Sequence, residues 1–165
     1  MFLDEAEIEV VAGRGGNGLA TFHREKFVLR GGPSGGHGGR GGDVILVADE
    51  GLNTLYAFRY TTRFLAENGG PGGAKQMHGA NGGLREVKVP VGTVIYDAST
   101  DQPIGDLTEH GQRLVVAAGG RGGRGNSAFK NSVRQAPRFA EKGFPGQSRR
   151  LRLELKLIAD VGLIG

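Results

Sequence analysis

Five basic side chains, Arg121, Arg124, Lys130, Arg134 and Arg138, fall between Gly119 and Arg138 with no acidic residue among them. A second cluster, His23, Arg24, Lys26 and Arg30, crowds Phe22–Arg30 against the single carboxylate of Glu25. Cations at this density suit phosphate oxygens, and the rings of Phe22, Phe27 and Phe129 suit stacking on bases. The chemistry indicated is polyanion binding. A solvated charged face is the simpler alternative for either cluster alone. The net charge of +4 and a pI near 9.7 lean toward a polyanionic partner.

Other chemistries find no support in the residues. The spacing GxGxxG occurs at Gly13, Gly15 and Gly18 and again at Gly120, Gly122 and Gly125. Neither copy is followed by an amphipathic helix, and a chain this rich in glycine produces the spacing by chance, so no dinucleotide site is read. No Gly-Lys pair exists, which rules out a complete GxxxxGK[ST] phosphate loop. Without cysteine there is neither a disulfide framework nor a thiolate nucleophile. His23, His37, His78 and His110 show no metal-ligand spacing and read as surface or loop residues. The chain is therefore expected to hold no metal or cofactor and to catalyse nothing by itself.

The elements that would position the basic clusters are marked by glycine, at 32 of 165 residues. Gly32, Gly35, Gly38 and Gly41 interleave with Gly36, Gly39 and Gly42; Gly119, Gly122 and Gly125 interleave with Gly120 and Gly123; Gly13 and Gly16 stand beside Gly15 and Gly18. A period of three belongs to the polyproline II conformation, not to helix or strand. Such backbones have no internal hydrogen bonds, so their amides must pair with neighbouring chains, and glycine lets those chains approach. The tracts, with Gly69–Gly83 as a looser fourth, predict a bundle of extended segments in which Gly35, Gly38, Gly41, Gly119, Gly122 and Gly125 are structural. A twelve-residue run of this kind spans about 37 Å.

Between the tracts lie strand-like runs: Asp43–Ala48, Leu84–Val94, Arg113–Ala118, and Leu151, Leu153, Leu155 and Leu157 alternating with charged residues. These runs argue against a disordered, RGG-like chain, and the short tracts and six prolines argue against collagen. The fold class is mainly β and irregular: a small sheet or barrel joined to the glycine-rich bundle, with little α-helix beyond a turn or two in Gly51–Tyr60. Phe22–Arg30, Gly69–Gly83 and Ser127–Gly146 read as loops. The acidic amino terminus is not a signal peptide, and no apolar run reaches membrane-span length, so a soluble cytoplasmic protein is expected. Residues 1–156 read as one domain. The run Leu157–Gly165 reads as the first, incomplete strand of another.

Phe22–Val44 (FHREKFVLRGGPSGGHGGRGGDV), Leu107–Asn126 (LTEHGQRLVVAAGGRGGRGN), Gln135–Gly146 (QAPRFAEKGFPG) and Leu153–Gly165 (LELKLIADVGLIG) closely resemble the Obg family of ribosome-associated GTPases. The resemblance covers essentially the whole chain and matches that family's amino-terminal domain. It implies a fold of polyproline II helices joined to a β-barrel. It also implies that Gly165 is the first phosphate-loop glycine of a GTPase domain, whose GTP and Mg²⁺ would be held by residues outside this chain. The implied partner is the large ribosomal subunit and its RNA, engaged near the peptidyl transferase centre by Phe22–Gly32, Gly69–Gly83 and Ser127–Gly146. On that basis the RNA-contacting residues are His23, Arg24, Lys26, Arg30, Lys75, His78, Lys130, Arg134, Arg138 and Lys142. His23 stands where relatives often carry arginine, and Gly69–Gly83 matches less closely than the other two segments. A second expectation is a regulatory domain acting on its own GTPase domain or on a stress-signalling protein. The chain is expected to be a monomer.

Overall fold

A computed structural model describes residues 2–20, 34–129 and 139–157. Strict alternation at the two ends of the chain produces its longest strands, β1 (Phe2–Val11) and β8 (Ser148–Leu157). They pair antiparallel from Phe2 opposite Leu157 to Val11 opposite Ser148. The pleat then sends Ile8, Val10, Leu151, Leu153 and Leu155 inward and Glu7, Glu9, Arg150 and Arg152 outward, where Arg150 pairs with Glu7. β3 (Arg63–Leu65) adds in parallel to β1, while β5 (Thr93–Asp97) and β6 (Pro103–Leu107) extend the sheet beyond β8. The second sheet has β2 (Val44–Asp49) between β4 (Arg85–Pro90) and β7 (Arg113–Ala117).

One core lies between the sheets, built from Val44, Leu46, Val87, Val89, Ile95, Leu107 and Val116 with the inward residues of β1 and β8. β3 comes close to β4 and β6 to β7, so sheet edges meet on both sides and the sandwich closes toward a barrel. Two expectations need correction. Leu84–Val94 is not one strand: Pro90 lacks an N–H and Gly92 turns at φ 96°, so β4 ends in one sheet and β5 starts in the other. The helical stretch in Gly51–Tyr60 shrinks to a 3₁₀ turn, Tyr56–Arg59, buried through Leu55 and Phe58 while Leu52 and Tyr56 face solvent.

The glycine tracts leave the barrel as extended segments, residues 12–20, 34–43, 66–73, 78–84, 118–126 and 139–147. Their cross-links recur every third residue. Gly36, Gly39 and Gly42 donate to the carbonyls of Gly73, Gly70 and Glu67, and Gly38 and Gly41 donate to Gly123 and Gly120. Gly120 and Gly123 in turn donate to Gly13 and Gly16. This is the predicted bundle, with the period of polyproline II. Gly92 and Gly111 are the described glycines with positive φ, so conformational freedom is not what the tracts use. Close approach is: a Cβ on Gly38 would sit 1.8 Å from the Gly16 carbonyl oxygen, and one on Gly122 would sit 1.9 Å from that of Gly38.

Gly69–Gly83, read both as a looser fourth tract and as a loop, is a pair of bundle segments joined by a tight turn at residues 74–77, and the end of Ser127–Gly146, read as a loop, is itself a segment. Gly143 shows why: its Cβ position is 1.8 Å from the Gly15 carbonyl oxygen.

Candidate nucleic-acid interface

The bundle has a free end because each excursion leaves the barrel and returns to it. Segment 12–20 follows β1 and 34–43 leads into β2; 66–73 follows β3 and 78–84 leads to β4; 118–126 follows β7 and 139–147 leads to β8. The turn at residues 74–77 and the described residues that border 21–33 and 130–138 therefore share the end remote from the sheets. There Leu19 donates to Gly36, Gly36 to Gly73, Gln76 to Ser34, and Asn126 to Leu19. His23, Arg24, Lys26, Arg30, Lys130, Arg134, Arg138 and Gly165 lie outside the described residues, as do Phe22 and Phe27. The described residues that flank 21–33 and 130–138 belong to this end.

Lys75 occupies the middle turn, exposed beside Gln76, with Met77 66% accessible. Lys75 and Gln76 adopt φ of 58° and 57°, and Met77 N–H closes the turn on the Ala74 carbonyl at 3.2 Å. A left-handed backbone costs a side-chain-bearing residue about 1–2 kcal/mol, and the usual residues of such a turn are Asn-Gly. Lys142 is exposed on segment 139–147.

His78 is stacked on His37, with centroids 4.5 Å apart and planes 10° from parallel. Its Nδ1 accepts the backbone N–H of His37 at 2.9 Å, and Nδ1 of His37 accepts that of Gly125 at 2.9 Å. The two histidines that sequence spacing left isolated thus act together as acceptors within the bundle. Burial, then the neighbouring His78 and Arg124, lower the pKa of His37 below its ordinary value. Among the described residues no three His, Cys, Asp or Glu side chains converge on a possible metal position.

The histidines belong to a wider pattern that sequence reasoning missed. Glycines fill two of three positions in a tract; the third residue carries a side chain, and its amide needs an acceptor too. Asn68 accepts from Arg14, Asn81 from Arg40, Asn17 from Gly143 and Asn126 from Gly35, at 2.7–2.9 Å. Glu141 accepts from the Arg124 N–H at 3.0 Å and pairs with its guanidinium at 2.9 Å. Those Arg124 contacts hold the Glu141 carboxyl down at about 2. Asn within three positions of a glycine pair is the sequence signal for such acceptors.

Charge is divided between the two parts of the molecule. Residues 12–43, 66–84 and 118–147 hold 12 of the 21 Lys and Arg but only 4 of the 17 Asp and Glu. The barrel side is net acidic, and some of its ions pair among themselves, as Arg63 with Glu9 and Arg113 with Glu86. An open cleft of about 490 Å³ on the barrel is lined by Glu7, Glu9 and Arg150, an unfavourable wall for a polyanion. No described helix is long and apolar enough to cross a membrane.

Known proteins match the chain along almost its whole length. The family model GTP1/OBG matches residues 3–157. The chain is 58% identical over 164 residues to a GTPase Obg of Persephonella marina, covering 99% of this chain and 48% of that protein. It is 59% identical over 165 residues to a GTPase Obg of Moorella thermoacetica, covering 100% of this chain and 39% of that protein. The chain thus spans less than half the length of these relatives. A glycine-built bundle on a small β-barrel, matched by the family model along almost its whole length, places the chain in the GTP1/OBG family.

Proposed function

We propose that this chain is the RNA-docking domain of a GTPase, and that it seats the protein on the large ribosomal subunit during that subunit's assembly. The observation that carries the reading is the segregation of charge: basic residues gather on the excursions that leave the barrel, and acidic ones stay behind. A field divided in this way turns the loop end toward a polyanion during encounter. His23, Arg24, Lys26, Arg30, Lys75, Lys130, Arg134 and Arg138 then neutralise phosphates. GTP and Mg²⁺ belong to the longer protein, because the chain has no Gly-Lys pair with which to form a phosphate loop. The site of action is the cytoplasm, and the domain acts as a monomer beside its own GTPase domain.

The test is binding to purified large and small subunits across a salt series. The logarithm of affinity for large subunits should fall linearly with that of salt, by roughly 0.7–0.9 per phosphate neutralised. Replacing Lys130, Arg134 and Arg138 together with alanine should flatten the line. Affinity that is insensitive to salt, or equal for the two subunits, would refute the proposal.

A further inference from the structure

Away from the loop end, one flank of the bundle carries cations of a different kind. Arg121 lies over the ring of Phe144, its guanidinium carbon 4.5 Å from the centroid. Arg14 reaches across from segment 12–20 and donates through Nη2 to the Gly143 carbonyl at 3.2 Å, between Lys142 and Phe144 in sequence. Arg14, Arg121 and Lys142 are exposed, and among the described residues none of them forms an ion pair. Their neighbours do: Glu141, the carboxylate of this flank, is engaged by Arg124, and Arg40 pairs with Asp43 at 3.0 Å.

Phe144 remains 40% accessible, so its ring serves the core little. Its backbone is nonetheless fixed from two sides, donating to Arg121 and accepting from Gly15, both at 2.9 Å. The result is a rigid aromatic and guanidinium platform with two further cations close by and the nearest acid already neutralised. Unpaired bases stack on aromatic rings and on guanidinium planes, and the phosphates of such a strand seek isolated cations.

We infer that this flank is a second RNA-binding surface, distinct from the loop end, on which an unpaired nucleotide stacks against Phe144 and Arg121 while Arg14 and Lys142 meet its phosphates. The inference rests on the proposed RNA-docking function and adds a contact along the side of the bundle. Phe144, Arg121 and Arg14 are each held by a contact within the bundle, so the surface is preorganised and selects a single strand over a duplex.

The experiment uses the full chain with purified large subunits. Phe144→Leu should weaken binding roughly five- to a hundredfold, the range for losing one stacked base, and Phe144→Trp should retain it. The double variant Arg14→Gln with Lys142→Gln should lower the salt slope by about 1.4–1.8, two phosphates' worth. A benzophenone amino acid at position 144 should cross-link to ribosomal RNA. Melting temperatures identify any variant that fails to fold, and the double variant, altered only at exposed side chains, keeps the inference open to refutation.

Wild-type affinity and slope in the Phe144→Leu and double variants, while the Lys130, Arg134 and Arg138 triple variant loses binding, would overturn this surface and leave loop-end docking intact. So would a cross-link to ribosomal protein alone, or none. If the unaltered chain does not bind large subunits in a salt-dependent way, the docking function falls and this surface with it.

Discussion

Replacing Gly38 with alanine, one added methyl group, should unfold the bundle far more readily than its size suggests. The Cβ would lie 1.8 Å from the Gly16 carbonyl oxygen and 2.3 Å from its carbon, both rigid backbone atoms. Relieving the first contact to 3.0 Å needs a separation of about 1.2 Å between segments 12–20 and 34–43. That movement stretches the bonds from Gly16 to Gly39 (2.9 Å) and from Gly13 to Gly42 (2.8 Å) past useful length. A buried amide pair left unsatisfied costs about 1–3 kcal/mol, so losing two bonds destabilises by roughly 2–6 kcal/mol. At about 2–4 °C per kcal/mol for a domain of this size, the melting temperature falls by roughly 4–24 °C. The control is Gly111→Ala, where φ is +83° but no atom lies within 4 Å of the Cβ position; strain alone costs about 1–2 kcal/mol there. Urea unfolding of the two variants side by side decides the matter. If Gly38→Ala is no less stable than Gly111→Ala, backbone contact is not why the tracts are glycine.

The turn at Lys75 and Gln76 gives the opposite sign: the pair Lys75→Asn and Gln76→Gly should raise stability by about 1–2 kcal/mol in a thermal melt, because both φ angles are left-handed. The same change should lower affinity for large subunits, since it removes an exposed cation. His37 has a lowered pKa, so the unfolded chain binds more protons; stability is complete above the ordinary histidine range near pH 6.5 and is lost as pH falls through it. His37→Asn, which keeps an acceptor for the Gly125 amide, should flatten urea midpoints between about pH 7.5 and 5.5. Glu141, held down at about 2 by Arg124, contributes stability that is present above the ordinary carboxyl range and lost as pH falls toward that value. Glu141→Gln should remove this acid limb from the stability profile.

The bundle was legible because steric need writes itself into one residue type at one period. Gly38 and Gly122 announce a backbone contact without any knowledge of the partner chain, and the structure supplies the partners as Gly16 and Gly38. The partners themselves were not legible, since an amide pairs with any carbonyl and the sequence has no local record of which segment passes by. Hence Gly69–Gly83 read both as a looser fourth tract and as a loop, and Ser127–Gly146 as a loop: Gly79, Gly82, Gly83, Gly143 and Gly146 keep the spacing only in fragments. β3 and β6 were missed for a related reason. Each holds one residue of the buried core at most, Phe64 or Leu107, and alternation cannot be heard over so short a run. The basic clusters stood out by composition alone. The pairing of His37 with His78, 41 residues apart, leaves no trace in spacing.

The same geometry explains why the outward residues can change without loss of the fold. In a tract of this kind two glycines in three face neighbouring backbones, and the third residue necessarily points outward. Its amide is satisfied by an acceptor on the next segment, as Asn68 does for Arg14 and Asn81 for Arg40. Where its side chain is neither such an acceptor itself, as Asn17 and His37 are, nor ion-paired across segments, as Arg124 is with Glu141, it changes at little cost to the fold. Reversing charge at such a site should therefore separate the two properties. Arg121→Glu leaves every backbone cross-link in place and forfeits an exposed contact with Phe144, a loss of about 0.5–1 kcal/mol, together with the attraction between Arg121 and the Glu141 carboxylate. The binding cost is larger, because the guanidinium plane under the stacked base is gone and a carboxylate stands beside the phosphates that Arg14 and Lys142 meet. A variant whose urea midpoint is nearly unchanged while its large-subunit affinity falls tenfold or more bears this out. One in which stability and affinity fall together would show that the outward residue supports the bundle after all.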